Sequence, residues 1–421
     1  MCETNDVMGF CRKRVNGCWF GREFLRFLCF TGSIGMVMAV CGLNVAHAKD
    51  DLRVATFNVS MEADNYKADH QDSIEPGVLT RLLAEGKHPQ IQHIAEIIQR
   101  VRPDVLLLNE FDYIENSKAG IEAFNKNFLA VAQHSDVEPI AYPYFYIGPV
   151  NPGEPSPFDF NRDGVASGKG EDAWGYGQYP GQYGMAVLSR YPIDNGAVRS
   201  FRHFNWADMP AARVPVHPES GENWYTDAQW QAFRLPSKAL WDVPITVAGK
   251  RLHLLASHPT PPVFDGPENR NGLRNHDEIR LIADYLNGAD YLYDDQKNKT
   301  PFAGQRFVIV GDLNASVNSK ETVPGTMEQL LEHPKVNASF TPTSGGAKAN
   351  APDIADSASH TAAWRSRADY VLPSQQGWKV LGGGVFWPEP GEPLHRLVAS
   401  RKASSDHRLV YVDLQFQSVD D

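Results

Sequence analysis

The stretch VLLLNEFD, residues 105–112, sets four consecutive aliphatic residues directly before an amide and an acid. A short apolar run of this kind is typical of a strand that is buried on both faces. Just before it, IQHIAEIIQRV (91–101) repeats its apolar side chains at helical spacing, and Pro103 ends that helix. A helix followed by a buried strand indicates a layered α/β protein.

The same kind of unit recurs along the chain. Strands are predicted in RVATFNVS (53–60), GMAVLSRYPI (184–193), DVPITVAGKRLHLLASH (242–258, a hairpin), RFVIVGDLNAS (306–316), RADYVLPS (367–374) and HRLVYVDLQF (407–416). A helix is predicted in HDEIRLIADYLNG (276–288), where Gly288 ends it. Three segments, about residues 140–183, 199–237 and 341–360, are predicted to be long loop insertions at one rim of a single domain spanning 49–421.

Residues 1–48 differ from the rest of the chain. CRKRVNGCWFGREFLR (11–26) is basic, residues 27–48 carry no Asp, Glu, Lys or Arg, and the segment ends in Ala-His-Ala. This order predicts a cleaved signal peptide and a secreted or periplasmic protein with no stable membrane span after cleavage. An uncleaved anchor is the alternative, because the uncharged stretch is long enough to cross a bilayer.

The composition limits the chemistry. All five cysteines fall in the leader, which excludes thiolate metal sites and thiol nucleophiles from the domain and favours hard ions held by oxygen or imidazole. From residue 49 onward, 35 Lys and Arg face 48 Asp and Glu, a net charge of −13. That charge argues against a protein that coats nucleic acid, but not against an enzyme that takes phosphate esters through a metal ion.

At six places an apolar run stops at an acid, an amide or an imidazole. Each has an ordinary structural reading, such as a capping Asn, a neutral core His or an Asx turn. A carboxylate beside buried aliphatic residues is nevertheless costly unless it is paired or binds a metal ion. The residues are Asn58, Glu110, His258, the pair Asp312 and Asn314, Asp369, and the pair Asp406 and His407.

Taken in order, the motifs TFNV, LLLNEFD, GMAVLSRYPI, ASH, VIVGDLNAS, RADYVLPS and SSDHRLV resemble the endonuclease/exonuclease/phosphatase superfamily. That group includes deoxyribonuclease I, apurinic endonucleases, inositol phosphatases and bacterial sphingomyelinases. The predicted strands that carry these motifs extend from residue 53 to 416. The resemblance implies a four-layer α/β sandwich, in which two packed, mostly antiparallel sheets are flanked by helices.

The resemblance also implies roles for the residues. Glu110 would bind Mg (or Mn) with Asn58 and Asp406 beside it, and Asp312 and Asn314 would contact the phosphate and the attacking water. His407, oriented by Asp369, and His258 would flank the phosphate. His407 as base and His258 as acid is the first assignment, and the reverse stays open.

The predicted function is a divalent-metal-dependent phosphoesterase, with a nuclease-like phosphodiester substrate favoured and nucleic acid as a possible partner. The alternatives are a phosphomonoesterase, a sphingomyelinase-like lipid phosphodiesterase, and a non-catalytic surface binding protein that keeps the fold. No protein partner is implied, and a monomer is expected.

Two further groups of residues carry predictions of their own. Arg190, Asn271 and Arg274 are candidate substrate contacts, with an ion pair, a loop and a helix cap as the plain alternatives. DFNRDG (159–164) matches the first half of a calcium-binding EF-hand loop, so Asp159, Asn161 and Asp163 are candidate Ca ligands. The twelfth position of that loop is Gly170 rather than Glu, which leaves a polar turn as the alternative.

Overall fold

The structure, a computed structural model, describes residues 51–67 and 74–419, so the predicted leader lies outside the described residues. Its strands are β1 Asp51–Met61, β2 Val105–Phe111, β3 Tyr144–Ile147, β4 Met185–Ser189, β5 Arg199–Ser200, β6 Leu240–Val247, β7 Lys250–Ser257, β8 Phe307–Asp312, β9 Asp369–Pro373, β10 Trp378–Val385 and β11 Val410–Phe416. Its α-helices are α1 Val78–Glu85, α2 Pro89–Val101, α3 Ile121–Phe124, α4 Asp227–Ala232, α5 Arg270–Asn287, α6 Glu328–Leu331 and α7 Gly345–Asn350.

The strands form two sheets. The first has the order β10-β11-β1-β2-β4-β3 and the second has the order β5-β6-β7-β8-β9. Each sheet has one parallel pair, β1 with β2 and β7 with β8, and its other pairs are antiparallel. The predicted mostly antiparallel sandwich is therefore confirmed.

The side chains of β8 alternate between two hydrophobic cores, which shows how the layers are built. Val308 and Val310 join the core shared with the first sheet, whereas Phe307 and Ile309 join a second core on the outer face. Successive side chains of a strand point to opposite faces, so one strand serves both cores. Helix α5 packs into the outer core, and α1 and α2 pack into the core of the first sheet.

Local sequence signals set the ends of the main helices. Helix α2 begins with Pro89 at its first turn and stops at Arg102, which adopts a left-handed backbone (φ 54°) just before Pro103. Helix α5 ends at Gly288 (φ 73°) as predicted, but it begins at Arg270, ahead of the predicted stretch. Among the described residues, no helix is long and apolar enough to cross a membrane.

The three predicted insertions are not entirely loop. The first contains β3, which pairs with β4 at the edge of its sheet. The second contains β5 and α4, and the third contains α7. These elements are short, and none of them showed a clear apolar period in the sequence.

Candidate active site

The predicted site residues meet because of strand direction. The carboxyl ends of the parallel strands β1 and β2 lie at one edge of the first sheet, next to the start of the antiparallel strand β11. In the second sheet, β7 and β8 end beside the start of β9, where Asp312 pairs with Asp369. The packed sheets bring these two edges together, so residues far apart in the sequence converge on one place.

Asp312 is the centre of the arrangement. Its Oδ2 accepts a hydrogen bond from Asn58 Nδ2 (3.0 Å) and lies 3.4 Å from Nε2 of both His258 and His407. Its backbone N–H donates to Asn109 Oδ1 (3.3 Å), which ties β8 to β2 across the two sheets. Burial acts to raise the pKa of Asp312, but the two imidazoles outweigh burial and hold that pKa well below its ordinary value.

His407 is held between two carboxylates. Its Nδ1 pairs with Asp369 Oδ2 (2.9 Å), which also accepts from Thr361 Oγ1 (2.7 Å). Burial opposes protonation of this imidazole, yet Asp369 and Asp312 together raise the pKa of His407 to about 10. Burial in turn raises the pKa of Asp369 to about 6. The two carboxylates thus favour the imidazolium form of His407.

His258 has the opposite environment. It is buried at the end of β7, where burial and the nearby charge of Lys238 lower its pKa. Its Nε2 faces Asp312, and its Nδ1 has no hydrogen-bond partner among the described residues. The surroundings of His258 therefore favour the neutral imidazole.

Three residues at this edge have left-handed backbones without being glycine. They are Ser60 (φ 46°), Glu110 (φ 55°) and Asn314 (φ 52°), each within two residues of the end of a strand. Such conformations cost energy and tend to collect where function fixes a side chain in place. Asn314 is anchored further, because its N–H donates to Asp312 Oδ1 (3.0 Å) and its Nδ2 donates to Pro259 O (3.2 Å).

The predicted metal residues form an acidic face beside Asp312. Glu110 and Asp406 are partly exposed, whereas Asn58 is buried. Ser60 links two of them, because its N–H donates to Asn58 Oδ1 (3.1 Å) and its hydroxyl donates to Asp406 Oδ1 (3.3 Å). These are oxygen donors of the kind that hard divalent cations prefer.

Two residues of this face were missed by the sequence analysis. Glu62 is fully buried, and burial, with the neighbouring charge of Glu110, raises its pKa to about 7. Arg401 is half-exposed, with Nη1 at 3.5 Å from Asp406 Oδ2 and Nη2 at 3.9 Å from Glu62 Oε1. Three carboxylates thus converge on one cationic group, which fits the predicted preference for a divalent cation. Neither residue belongs to a motif, and only the position of Glu62 at the end of the first strand hinted at it.

A second buried group of Asp312, Asp369 and His407 places oxygen and nitrogen atoms within 4.8 Å of one another, among the described residues. The hydrogen bond from His407 to Asp369 already accounts for much of this closeness. The closeness of these atoms is therefore explained by proton sharing between the imidazole and the carboxylate.

The loops that carry His258 and Lys238 are fastened by one buried acid that the sequence analysis did not single out. Glu278 on α5 accepts from the backbone N–H of Ser237 (2.6 Å) and of Thr260 (2.7 Å). Lys238 Nζ lies 3.5 Å from Pro259 O. Burial lowers the pKa of Lys238, opposed by the charges of Glu278, Glu110 and Asp312. A buried ammonium thus faces the acids of the site.

The structure does not bring Arg190 to the site. Its Nη1 pairs with Asp104 Oδ1 (3.1 Å), next to the first residue of β2. Because β4 runs antiparallel to β2, the residue after β4 lies at the opposite end from Glu110.

Asn271 and Arg274 are engaged in the structure of their own segment. Asn271 Nδ2 donates to Val263 O (2.7 Å), which fixes the loop before α5. Arg274 is buried, with Nε donating to Leu235 O (2.9 Å) and Nη2 donating to Trp174 O (3.0 Å). Neither side chain is directed to the phosphate position by these contacts.

The DFNRDG segment forms a turn closed by its own acids. Asp159 accepts from the backbone N–H of Asp163 (3.2 Å) and Gly164 (2.9 Å), and Asp163 accepts from Val165 N (2.8 Å). This is the pattern of a polar Asx turn.

Comparison with known proteins shows the family to which the chain belongs. Residues 55–407 match the profile of the Endonuclease/Exonuclease/phosphatase family. No curated protein sequence gives a significant match to the chain.

Similar solved structures include an endonuclease/exonuclease/phosphatase from Beutenbergia cavernae (17% identity, 88% of this chain, 72% of the other, TM-score 0.45). Another is a beta toxin variant from Staphylococcus aureus with bound magnesium ions (16% identity, 86% of this chain, 99% of the other, TM-score 0.44). A third is sphingomyelinase C from Streptomyces griseocarneus (15% identity, 86% of this chain, 99% of the other, TM-score 0.43).

Proposed function

Because the chain belongs to the endonuclease/exonuclease/phosphatase family, whose members are metal-dependent hydrolases of phosphate esters, we propose that it is a secreted or periplasmic phosphodiesterase. The observation that carries the proposal is the shared oxygen of Asp312, which faces two imidazoles and Asn58. Ester hydrolysis needs an acceptor for the proton of water, a donor for the leaving oxygen and positive charge near the phosphoryl group. The convergent residues supply the acceptor and the donor.

We assign Mg or Mn to Glu110, with Asn58 and Asp406 beside it, on the basis of their oxygen donors. The ion would supply a Lewis acid that draws charge from the phosphoryl group. Asn314 and the buried Lys238 would fix the phosphate oxygens, and Asn58 would hold Asp312 in its orientation.

The electrostatics favour the second of the two acid–base assignments. His407 carries a raised pKa between two carboxylates, so it is the proton donor to the leaving oxygen. His258 carries a lowered pKa, and its Nε2 lies at the shared oxygen of Asp312, so we assign it as the acceptor of the proton of the attacking water. Asp369 holds the ring of His407 through Nδ1.

A hydrolysis panel tests this function. The substrates are bis-p-nitrophenyl phosphate, plasmid DNA, sphingomyelin and a phosphomonoester, each with Mg, with Mn and with EDTA. We expect turnover of the phosphodiesters that EDTA abolishes. Absence of turnover on every substrate would favour the non-catalytic binding protein, and turnover of the phosphomonoester alone would favour a phosphatase.

A structural calcium ion at Asp159, Asn161 and Asp163 remains a separate proposal, supported by the EF-hand-like spacing. We expect Ca to raise the melting temperature of the wild type and to have no such effect on Asp163→Ala. An equal rise in both proteins would exclude this location.

A further inference from the structure

A tryptophan stands beside the catalytic imidazole without any role in the acid–base chemistry. The ring of Trp364 meets the ring of His407 edge to face, with centroids 4.6 Å apart and planes at 83°. Yet 49% of Trp364 is exposed to solvent. A large aromatic side chain left half open next to reacting groups is a candidate contact for substrate.

The turn that carries Trp364 is fixed to the catalytic residues on both sides. Ala363 N donates to Asp406 O (2.7 Å), and Ala362 forms a β-bridge with His407. On the other side, Thr361 Oγ1 donates to Asp369 Oδ2 (2.7 Å). The turn that carries the indole is therefore fixed relative to the imidazole, as a binding platform requires.

The turn that carries the indole has polar side chains next to it. Asn350 Nδ2 donates to Ala363 O (3.2 Å), and the neighbouring Arg365 pairs with Asp353. A lipid chain requires a contiguous apolar surface, whereas a nucleobase is planar with polar edges and stacks on a single aromatic ring. Polar side chains beside a single exposed ring thus suit a base better than a lipid.

We propose that Trp364 binds the base of a nucleoside joined to the scissile phosphate, so that the enzyme selects nucleoside phosphodiesters. This inference rests on the proposed phosphodiesterase function. Trp364 acts in it as a specificity-determining residue through direct contact with substrate.

The test compares two diesters with the same leaving group: thymidine 5′-(p-nitrophenyl phosphate) and methyl p-nitrophenyl phosphate. Both release p-nitrophenolate, so one assay serves both. For Trp364→Ala we expect KM for the thymidine ester to rise about tenfold or more, as expected for loss of a base–aromatic stack, with KM for the methyl ester within twofold. Trp364→Phe should recover most of the loss.

Tyr144→Ala, which removes another partly exposed aromatic side chain from the edge strand β3, is the matched control and should change neither KM. Equal changes on both esters, or a fall in kcat without a change in KM, would overturn the proposal, since Trp364 would then only support His407. A loss confined to sphingomyelin vesicles would also overturn it in favour of lipid. Failure of the wild type on both esters would instead refute the phosphodiesterase function.

Discussion

Replacing Glu278 with glutamine should uncouple two loops of the site at a cost that the structure allows us to work out. Each carboxylate oxygen of Glu278 accepts one buried backbone N–H, from Ser237 and from Thr260. Glutamine offers one oxygen and one NH₂ group, so one of these N–H groups would face another donor. The substitution keeps the size of the side chain, and it replaces one acceptor with a donor and removes the charge.

An unsatisfied buried N–H costs about 1–3 kcal/mol, and loss of charge from the remaining hydrogen bond adds about 1 kcal/mol. We therefore expect Glu278→Gln to lower the free energy of unfolding by about 2–4 kcal/mol, within the usual total stability of a domain. The buried ammonium of Lys238 also loses a compensating charge. Because Thr260 lies two residues after His258, kcat should fall by about tenfold or more.

Urea unfolding followed by tryptophan fluorescence measures the stability, with an unchanged m-value as the check for a single transition. The control is Glu85→Gln, the same substitution at an exposed residue whose ion pair with Arg81 spans 3.4 Å. Exposed pairs contribute about 0–1 kcal/mol, so this variant should stay near the wild type. If Glu278→Gln is as stable as Glu85→Gln, the two hydrogen bonds do not hold the loops and our reasoning is wrong.

Three more results are expected. His407→Ala should lower kcat at least about 10²-fold, and more for a substrate with an alkoxide leaving group than for one that releases p-nitrophenolate. His258→Ala should lower kcat for both substrates alike. The reverse pattern would restore His407 as the base and His258 as the acid. Arg401→Gln should tighten Mn²⁺ binding about tenfold in calorimetry, because the guanidinium near Asp406 repels the ion, and Arg396→Gln should not. The neighbouring carboxylates raise the pKa of His407 from 6.5 to about 10 in the folded protein, so the protonated ring stabilises the fold fully below pH 6.5 and this stabilisation is lost toward pH 10. In EDTA, the urea midpoint should therefore fall more between pH 7 and pH 10 in the wild type than in His407→Gln.

Strand ends were the part of the site that could be predicted from the sequence. A polar residue directly after a buried apolar run must leave the core at an edge of the sheet, and parallel pairing brings such ends together. Glu110, His258 and Asp312 follow this rule, and Asp369 and His407 join them from the starts of antiparallel neighbours. Arg190 also follows a buried apolar run in the sequence, but β4 runs antiparallel to β2. The sequence of a single strand does not show whether it will pair parallel or antiparallel with its neighbour.

The positions of the residues that the sequence analysis missed are set by the conformation of the loops. Glu62, Arg401 and Trp364 lie outside the apolar runs, and no spacing relates them to their neighbours in space. Glu278 lay within a predicted helix, where an acid is ordinary, and only the packing of α5 on the second sheet shows that it is buried. Periodicity predicts which face of an element is covered, but not which polar group is covered with it.

The protonation states of the two histidines could not be predicted from motifs, because both are buried imidazoles that follow or precede a strand. What separates them is charge: His407 lies between Asp369 and Asp312, whereas His258 shares only Asp312 and lies near the ammonium of Lys238. The same desolvation acts on both rings, so the neighbouring charges decide the sign of each pKa shift. The pKa values of two imidazoles on one carboxylate oxygen are thus shifted in opposite directions, which is the condition for one to donate a proton while the other accepts one.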